Sequence, residues 1–459
     1  MTRRREFIKK SAIGSAGIMI GGMGLSRGSY NSIIGSNERI NIAVIGVRGR
    51  GSDHINELCS LKDQRNVWIT AICDVDEQFF DPRVKAVSDK TGVKPAVEWD
   101  MRRIFDNRDI HAVTFATPNH WHSLGTIWAC QAGKHVYVEK PCCHNIFEGR
   151  KMIEAARKYK VRIQVGFQNR SGKNLNEAIK FLHDGGIGDV YLARGLCLKP
   201  RDSFGIASDS KPPATLHYDM WLGPAPYRPY NEKRLHYNWH WFWDTGNGDT
   251  GNQGPHEFDV ARWGMNKNEH PVKIYSMGGI YGIDPKECAQ ETPNTQSSLF
   301  KYSDGKIIEF ETRGRFTNAE SSIGIRIGNI FYGTEGYLEL YDESASPWKA
   351  FRKREKTPFA GSTEEVSEPS DPTFMKAPPG SEHFANFLDA IRSGKDDDLK
   401  CNIKEGYFSC VLPHLANISY RLGRELHFDG AKERFVNDPE ADKMLTREYR
   451  KPYIVPQVV

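Results

Sequence analysis

Excess charge of one sign is the first thing this sequence lacks. Its 63 Lys and Arg against 58 Asp and Glu leave a formal net charge of +5 over 459 residues. Basic residues are scattered except at the N-terminus and in Arg352-Lys353-Arg354. A nucleic-acid partner is therefore not expected, and the short basic run, followed by Glu355 and Lys356, reads as solvated surface. Paired cysteine spacings are also missing. The nine cysteines form neither a zinc-ribbon pattern nor a disulfide framework, and adjacent Cys142-Cys143 read as packing. His236, His240, His256 and Glu257 lack a ligand spacing such as H-E-x-x-H, so no metal is expected. No segment is of low complexity. Hydrophobic residues at 39%, charged at 26% and aromatic at 11% are those of an ordinary globular enzyme. The length suits two domains.

The N-terminus carries Arg3-Arg4-Arg5-Glu6-Phe7-Ile8-Lys9, then an apolar stretch from Ala12 to Leu25 broken by glycine and serine. A membrane-crossing helix needs about twenty strongly apolar residues, more than this stretch supplies. The pattern matches a twin-arginine export signal over residues 1–36. The expectation is a periplasmic protein, carried folded across the membrane and in contact with it only transiently.

Arg39 to Ile45 is a short, β-branched apolar run that ends at Gly46, Gly49 and Gly51, as a buried parallel strand should. Val67 to Cys73 reads as the next strand and closes on Asp74, an acid placed to accept from the ribose hydroxyls of NAD. The same charge would repel the 2′-phosphate of NADP. Arg48 occupies the place of the second glycine of G-x-G-x-x-G; Gly49 is the substitute, and Arg48 or Arg50 can reach phosphates with a guanidinium fork. A helix near Met101 to Phe105, a strand His111 to Ala116, a helix Ser123 to Ala132 and a strand Lys134 to Val138 continue the alternation. Two loops follow strand C-termini, where doubly wound sheets bind ligands: Thr117-Pro118-Asn119-His120-Trp121-His122 and Glu139-Lys140-Pro141.

Residues 38 to 425 resemble the glucose–fructose oxidoreductase, inositol dehydrogenase and rhizopine-catabolism (Gfo/Idh/MocA) family. The resemblance rests on Gly46 to Gly51, Asp74, Ala116-Thr117-Pro118-Asn119 with His122, Glu139-Lys140-Pro141, and Gly251-Asn252-Gln253-Gly254-Pro255-His256. It implies NAD as cofactor, bound by Gly46, Arg48, Gly49, Arg50, Gly51, Asp74, Thr117, Pro118, Asn119, His122, Glu139 and Lys140. By the same resemblance Lys140 stands between nicotinamide and substrate and polarises the reacting oxygen. His256 corresponds to the acid/base. The family commonly carries aspartate four residues before this histidine, and here Asn252 stands in that place. An amide can orient an imidazole but cannot stabilise its cation as a carboxylate does, so Asp249 or Asp244 become candidate substitutes.

The expected fold is α/β: a doubly wound parallel sheet over 38–166, an α+β domain with an open, mostly antiparallel sheet over 167–425, and an extension over 426–459. Strands are expected at Val190 to Cys197, Val272 to Tyr281, Ser297 to Tyr302, Lys306 to Thr312, Ile323 to Tyr332 and Tyr337 to Tyr341. Helices are expected at Asn174 to Asp184, Glu382 to Ser393 and Lys404 to Arg421, and a surface loop at Glu364 to Gly380. In the family such a sheet forms the substrate wall and commonly a dimer contact, which implies a homo-oligomer.

Trp239, Trp241 and Trp243 would share one face if extended. They read equally as a sugar platform, with Asn238, His240 and Asp244 binding hydroxyls, or as aromatic core. Gln168, Asn169 and Arg170 follow a strand end on the Lys140 side and are further candidate substrate contacts. The leading functional expectation is redox exchange between a small-molecule carbohydrate and tightly held NAD. A glycosidase or lyase that oxidises its sugar transiently, and a binding protein that kept the fold, are the alternatives.

Overall fold

The computed structural model describes residues 38–322, 324–341, 347–362 and 381–459. The export-signal reading of 1–36 and the loop reading of Glu364 to Gly380 lie outside these residues.

Two sheets organise the described chain. The first contains β1 (Ile40–Ile45), β2 (Val67–Cys73), β3 (Ala96–Glu98), β4 (Ala112–Phe115), β5 (His135–Glu139) and β6 (Ile163–Gly166), in the order β3-β2-β1-β4-β5-β6. Every pairing is parallel. Parallel strands are covered on both faces, and β1, β4, β5 and β6 are buried along their whole lengths, which is why apolar residues dominate both of their faces. Helices α1 (Gly49–Ser60), α2 (Phe80–Thr91), α3 (Met101–Asp106), α4 (His122–Gln131) and α5 (Ile146–Tyr159) are the crossovers. The order reverses between β1 and β4, so the loops after these two strands flank the crevice where such sheets bind ligands.

After α6 (Lys173–His183), the chain enters the second sheet with β7 (Val190–Cys197). Helices α7 (Gly248–Asn252) and α8 (Gly254–Gly264) come next, then β8 (Lys273–Gly279), β9 (Thr295–Lys301), β10 (Ile307–Arg313), β11 (Ile327–Gly333), β12 (Gly336–Tyr341), β13 (Trp348–Arg352) and β14 (Ala360–Gly361). Helices α9 (Ser381–Ser393) and α10 (Ile403–Leu422) precede β15 (Leu426–Asp429) and β16 (Arg434–Phe435). The spatial order is β14-β13-β12-β11-β7-β10-β9-β8-β15-β16, antiparallel except between β7 and β10. The residues read as an extension thus add strands to this sheet: β15 pairs with β8.

Strict alternation of burial in β9 and β10 shows one covered face and one open face. The covered face carries Phe300 and Phe310, which meet Phe258 of α8 at ring distances of 5.2 and 4.7 Å. Burying each such ring contributes roughly 1.5–3 kcal/mol, enough to fix α8 on the sheet and with it the position of His256. Gly195 of β7 permits the close approach, since a Cβ there would lie 2.8 Å from that of Glu257.

Candidate active site

The turn after β1 is shaped by two glycines. Gly46 has φ +80°, and a Cβ on Gly51 would stand 1.8 Å from the Gly46 carbonyl oxygen, so strand end and helix start are in direct backbone contact. Gly49 differs: a Cβ there would meet nothing within 4 Å. Arg48 caps α1 without a side-chain hydrogen bond, and the first turn of α1 holds no acidic residue. The helix N-terminus therefore presents amides and a positive dipole end to the crevice, as a pyrophosphate requires. Across the crevice, Thr117 Oγ1 and Asn119 Oδ1 are buried without protein partners. At the β2 end, Asp74 accepts from the Val47 and Asp76 amides at 2.8 and 3.0 Å. Burial pushes its carboxyl up to about 6 against those two bonds. Orphan polar atoms, an open glycine and an acid at the second strand end together fit a dinucleotide.

Arg48 is exposed beside this turn, with its guanidinium 5.9 Å from the Phe79 ring centroid. Arg50 is held by carboxylates on one side. It pairs with Glu139 at 2.8 Å and with Glu57 at 3.3 Å, while its Nη2 is buried without a protein partner. Glu139 is a hub: its Oε1 also accepts from His54 Nε2 and Gln168 Nε2, each at 2.9 Å. His54 receives the Thr114 hydroxyl on Nδ1 at 3.2 Å, which fits the neutral Nε2–H tautomer. Burial works to raise the Glu139 carboxyl, but Arg50 and His54 outweigh it and hold it well below the usual carboxylate range. Glu139 thus fixes a negative charge beneath Lys140, and Gln168, bonded to it and to the Tyr137 hydroxyl at 2.7 Å, belongs to that support. These bonds make both residues part of the support under Lys140.

His122 is likewise redirected. Its ring nitrogens lie 2.8 Å from the Thr117 carbonyl and 2.7 Å from the Pro141 carbonyl, so the buried ring ties together the two ligand-facing loops. A neutral ring donates to only one of them.

Lys140 donates to the backbone carbonyl of Asn252 at 2.7 Å. This contact joins the residue after β5 to the end of α7 and brings the ammonium within electrostatic reach of His256. Burial lowers the Lys140 pKa; Glu139 opposes that and Lys199 reinforces it. His256 stands edge-on to Phe167 at 5.8 Å, and its Nδ1 is buried without a partner. Burial first, then the Lys140 and Lys199 ammoniums, push its pKa well below the ordinary histidine value.

Asp249 and Asp244 do not substitute for the missing aspartate. Asp249 makes a two-point pair with Arg201 at 2.7 and 3.0 Å. Asp244 pairs with Arg228 at 2.5 Å. Arg170 is held by Asp259 at 2.7 and 2.9 Å, both side chains buried, which turns it away from the role expected of it; Asn169 is buried beside it.

The tryptophan face does not form, because Asn238–Trp241 is a 3₁₀ turn rather than an extended segment. Trp241 is buried beneath the Arg201 guanidinium, and Trp243 lies 5.2 Å from Arg421. Trp239 instead stacks on His240 with centroids 3.6 Å apart. His240 Nδ1 lies 2.5 Å from the Tyr237 carbonyl and therefore carries the proton, which leaves Nε2 as a lone pair. Burial pushes this histidine down to about 3, with smaller contributions from Lys140 and Arg201.

Lys199 and Arg201 were not singled out by sequence reasoning. Lys199 donates to Gln253 Oε1 at 2.6 Å. The available signal was positional: both follow the end of β7, as Lys140 follows β5, but the antiparallel pattern around β7 gave no reason to search that end.

Residues 40–167 match the family described as "Oxidoreductase family, NAD-binding Rossmann fold", and residues 206–336 and 367–455 match its C-terminal alpha/beta domain. A glycosyl hydrolase family 109 protein of Shewanella pealeana is 28% identical over 169 residues, 33% of this chain and 36% of that protein. A levoglucosan dehydrogenase of Pseudarthrobacter phenanthrenivorans is 37% identical over 100 residues, 22% of this chain and 26% of that protein. The chain thus spans about a third or less of the length of these curated relatives. A levoglucosan dehydrogenase solved with NADH and levoglucosan superposes with a TM-score of 0.61 at 18% identity, covering 86% of this chain and 100% of that one, which is a likeness of fold. With both domains matched, the chain belongs to the Gfo/Idh/MocA oxidoreductase family and carries its NAD-binding Rossmann domain.

Proposed function

We propose that this protein oxidises or reduces a CH–OH carbon of a sugar, glycoside or polyol with an NAD that stays bound through turnover. The observation that carries the reading is the Lys140–Asn252 bond, which brings the Lys140 ammonium close enough to His256 for its charge to bear on the imidazole. When bound, NAD supplies the two-electron acceptor for the hydrogen leaving the carbinol carbon. The Lys140 ammonium polarises the carbinol oxygen, and neutral His256 takes the hydroxyl proton. The catalytic assignment is Lys140 and His256, with Asn252 contributing its backbone carbonyl. Releasing the cofactor by denaturation, and adding glycosides to the intact protein, tests this directly. Stoichiometric NAD and a reduced-nicotinamide absorbance band with substrate are expected; no NAD and no binding of added NAD would sink it.

The pH profile should carry the His256 signature. The base must be neutral, so kcat/KM should hold constant to well below the ordinary histidine pKa before falling. Asn252→Asp places a carboxylate one turn away and raises the His256 pKa, so the acid limb should move to higher pH. A profile unchanged by that substitution removes His256 as the base.

Retention of NAD is supported by a strap from the second domain. Residues 215–217 run antiparallel to Val75–Glu77, with Glu77 N to Thr215 O at 3.0 Å and His217 N to Val75 O at 2.8 Å. His217 also meets Glu77 at 2.7 Å and stacks on Trp99 at 4.1 Å. His236 reaches Asp76 at 3.1 Å. The strap thus closes over the turn that follows Asp74. Replacing His217 and His236 together with alanine should speed NADH release by about tenfold or more, read from the decay of its protein-enhanced fluorescence. An unchanged rate would remove the strap from cofactor retention.

A second reading, NAD-dependent glycoside cleavage, is favoured by His240, a neutral imidazole with a free Nε2 in the electrostatic reach of Lys140. It could remove a proton beside a transiently oxidised carbon. Cleaved glycoside without net reduced NAD is its product signature. Export by the twin-arginine route and a homo-oligomer joined through the open sheet face, where Tyr275, Met277 and Leu299 are exposed, complete the proposal.

A further inference from the structure

The cleft around Lys140 holds a second ammonium that the oxidation step does not use. Lys199 approaches from the end of β7 closely enough to depress both Lys140 and His256. The two lysines hydrogen-bond to neutral oxygens, Lys140 to the Asn252 carbonyl at 2.7 Å and Lys199 to the Gln253 amide oxygen at 2.6 Å. An ammonium has three donors, so each retains two for a ligand.

The nearby carboxylates are engaged by other groups, although Asp249 feels the Lys199 charge and Glu257 acts on Lys140. Glu139 accepts from Arg50, His54 and Gln168. Asp249 is taken at two points by Arg201. Glu257, buried at 1% exposure, accepts the Gln253 amide at 3.0 Å, so Gln253 stands between that carboxylate and Lys199. Beside Lys199 the Arg201 guanidinium turns its remaining edge toward the Tyr237 hydroxyl at 3.4 Å, at the exposed side of the cleft. A neutral sugar would leave the half-buried Lys199 ammonium with the Gln253 amide oxygen as its acceptor and Asp249, already held at two points by Arg201, as its offsetting charge. A carboxylate would pair with it through charge-assisted hydrogen bonds, about twice as strong as neutral ones.

We propose that Lys199 recognises a carboxylate on the substrate, so that the carbohydrate presented to Lys140 is a sugar acid or its glycoside. This rests on the dehydrogenase reading and adds its substrate class. Lys199 is a specificity residue whose charge also bears on His256, so its role in recognition is read from KM rather than kcat.

The test uses the full-length protein with its bound NAD and matched pairs of methyl glycosides and methyl uronides of glucose and galactose, both anomers. Cofactor reduction should show a uronide KM lower than that of its neutral partner by about tenfold or more. Lys199→Met should erase that preference, raising the uronide KM by a similar factor while moving the neutral KM by less than about twofold. Lys199→Arg, which keeps the charge, should restore part of it, and thermal melts of Lys199→Met and Lys199→Gln separate lost recognition from lost fold. Neutral glycosides turned over at equal or lower KM, with no response to Lys199→Met or Lys199→Gln, would overturn the inference and leave the dehydrogenase standing. Reduction by neither class would overturn the dehydrogenase reading and this inference with it.

Discussion

Lys140→Ala is expected to lower kcat by about 10²–10³-fold, the size of effect that follows removal of one preorganised charge at a developing oxyanion. Bound NAD should remain. The groups that fit the dinucleotide, namely the α1 N-terminus, Gly49, Asp74, Thr117 and Asn119, lie on other loops and do not depend on the lysine side chain. The ammonium is already anchored by the Asn252 carbonyl and lowered in pKa by burial, so it can share or strengthen a bond to an oxygen as that oxygen gains charge. In the variant, the cofactor released on denaturation should match wild type in amount while turnover is lost. Wild-type turnover in Lys140→Ala would remove the residue from the chemistry, and loss of NAD would reassign it to cofactor binding.

Most strands of both sheets were legible because they are rich in β-branched and aromatic residues, and the first parallel strand ends at glycines. Val67 to Cys73 and Val190 to Cys197 emerged with the boundaries that the sequence suggested. The short β3 was not, since two of its three residues are exposed and it carries no apolar run. Ser381 to Ser393 and Ile403 to Leu422 were recognisable from helical spacing, whereas β15 and β16 are too short to announce themselves. Within the site, the difference is between residue type and partner. Lys140, His256 and Asp74 could be placed from motifs because a strand end or a helix turn fixes where they point. Arg50, Arg170, Asp244 and Asp249 could not be assigned, because an arginine or a carboxylate beside a crevice serves either a ligand or an ion pair. Their partners Glu139, Asp259, Arg228 and Arg201 are 89, 89, 16 and 48 positions away in the chain. The tryptophan segment failed for a local reason: alternation implies a shared face only for an extended backbone, and the chain turns there.

Glu139→Ala tests whether the charge beneath Lys140 is structural, functional or both. Removing the carboxylate leaves the Arg50 guanidinium, the His54 N–H and the Gln168 amide without their common acceptor. Breaking a buried pair from one side typically costs about 3–5 kcal/mol, because the remaining charge is uncompensated. For a chain built of domains this size, that corresponds to a melting-temperature fall of roughly 10 °C. Glu139→Gln keeps the volume and one acceptor oxygen but not the charge, so its melting temperature should lie between Glu139→Ala and wild type. The folded-state pKa of Glu139 is depressed, so its stabilisation is fully present above the unfolded value. It declines as pH drops below the unfolded value and is gone once pH has fallen through the lower folded value. The stability gap between wild type and Glu139→Gln should therefore narrow steadily from the usual carboxylate titration range downward and close only at more acid pH. The functional signature is separate. Glu139 raises the Lys140 pKa against burial, so Glu139→Gln should lower it further and move the basic limb of the kcat profile to lower pH. A loss of melting temperature with an unmoved basic limb would make Glu139 a purely structural hub. A shift of that limb would make it a positioning residue for the lysine, acting through electrostatics across one peptide unit.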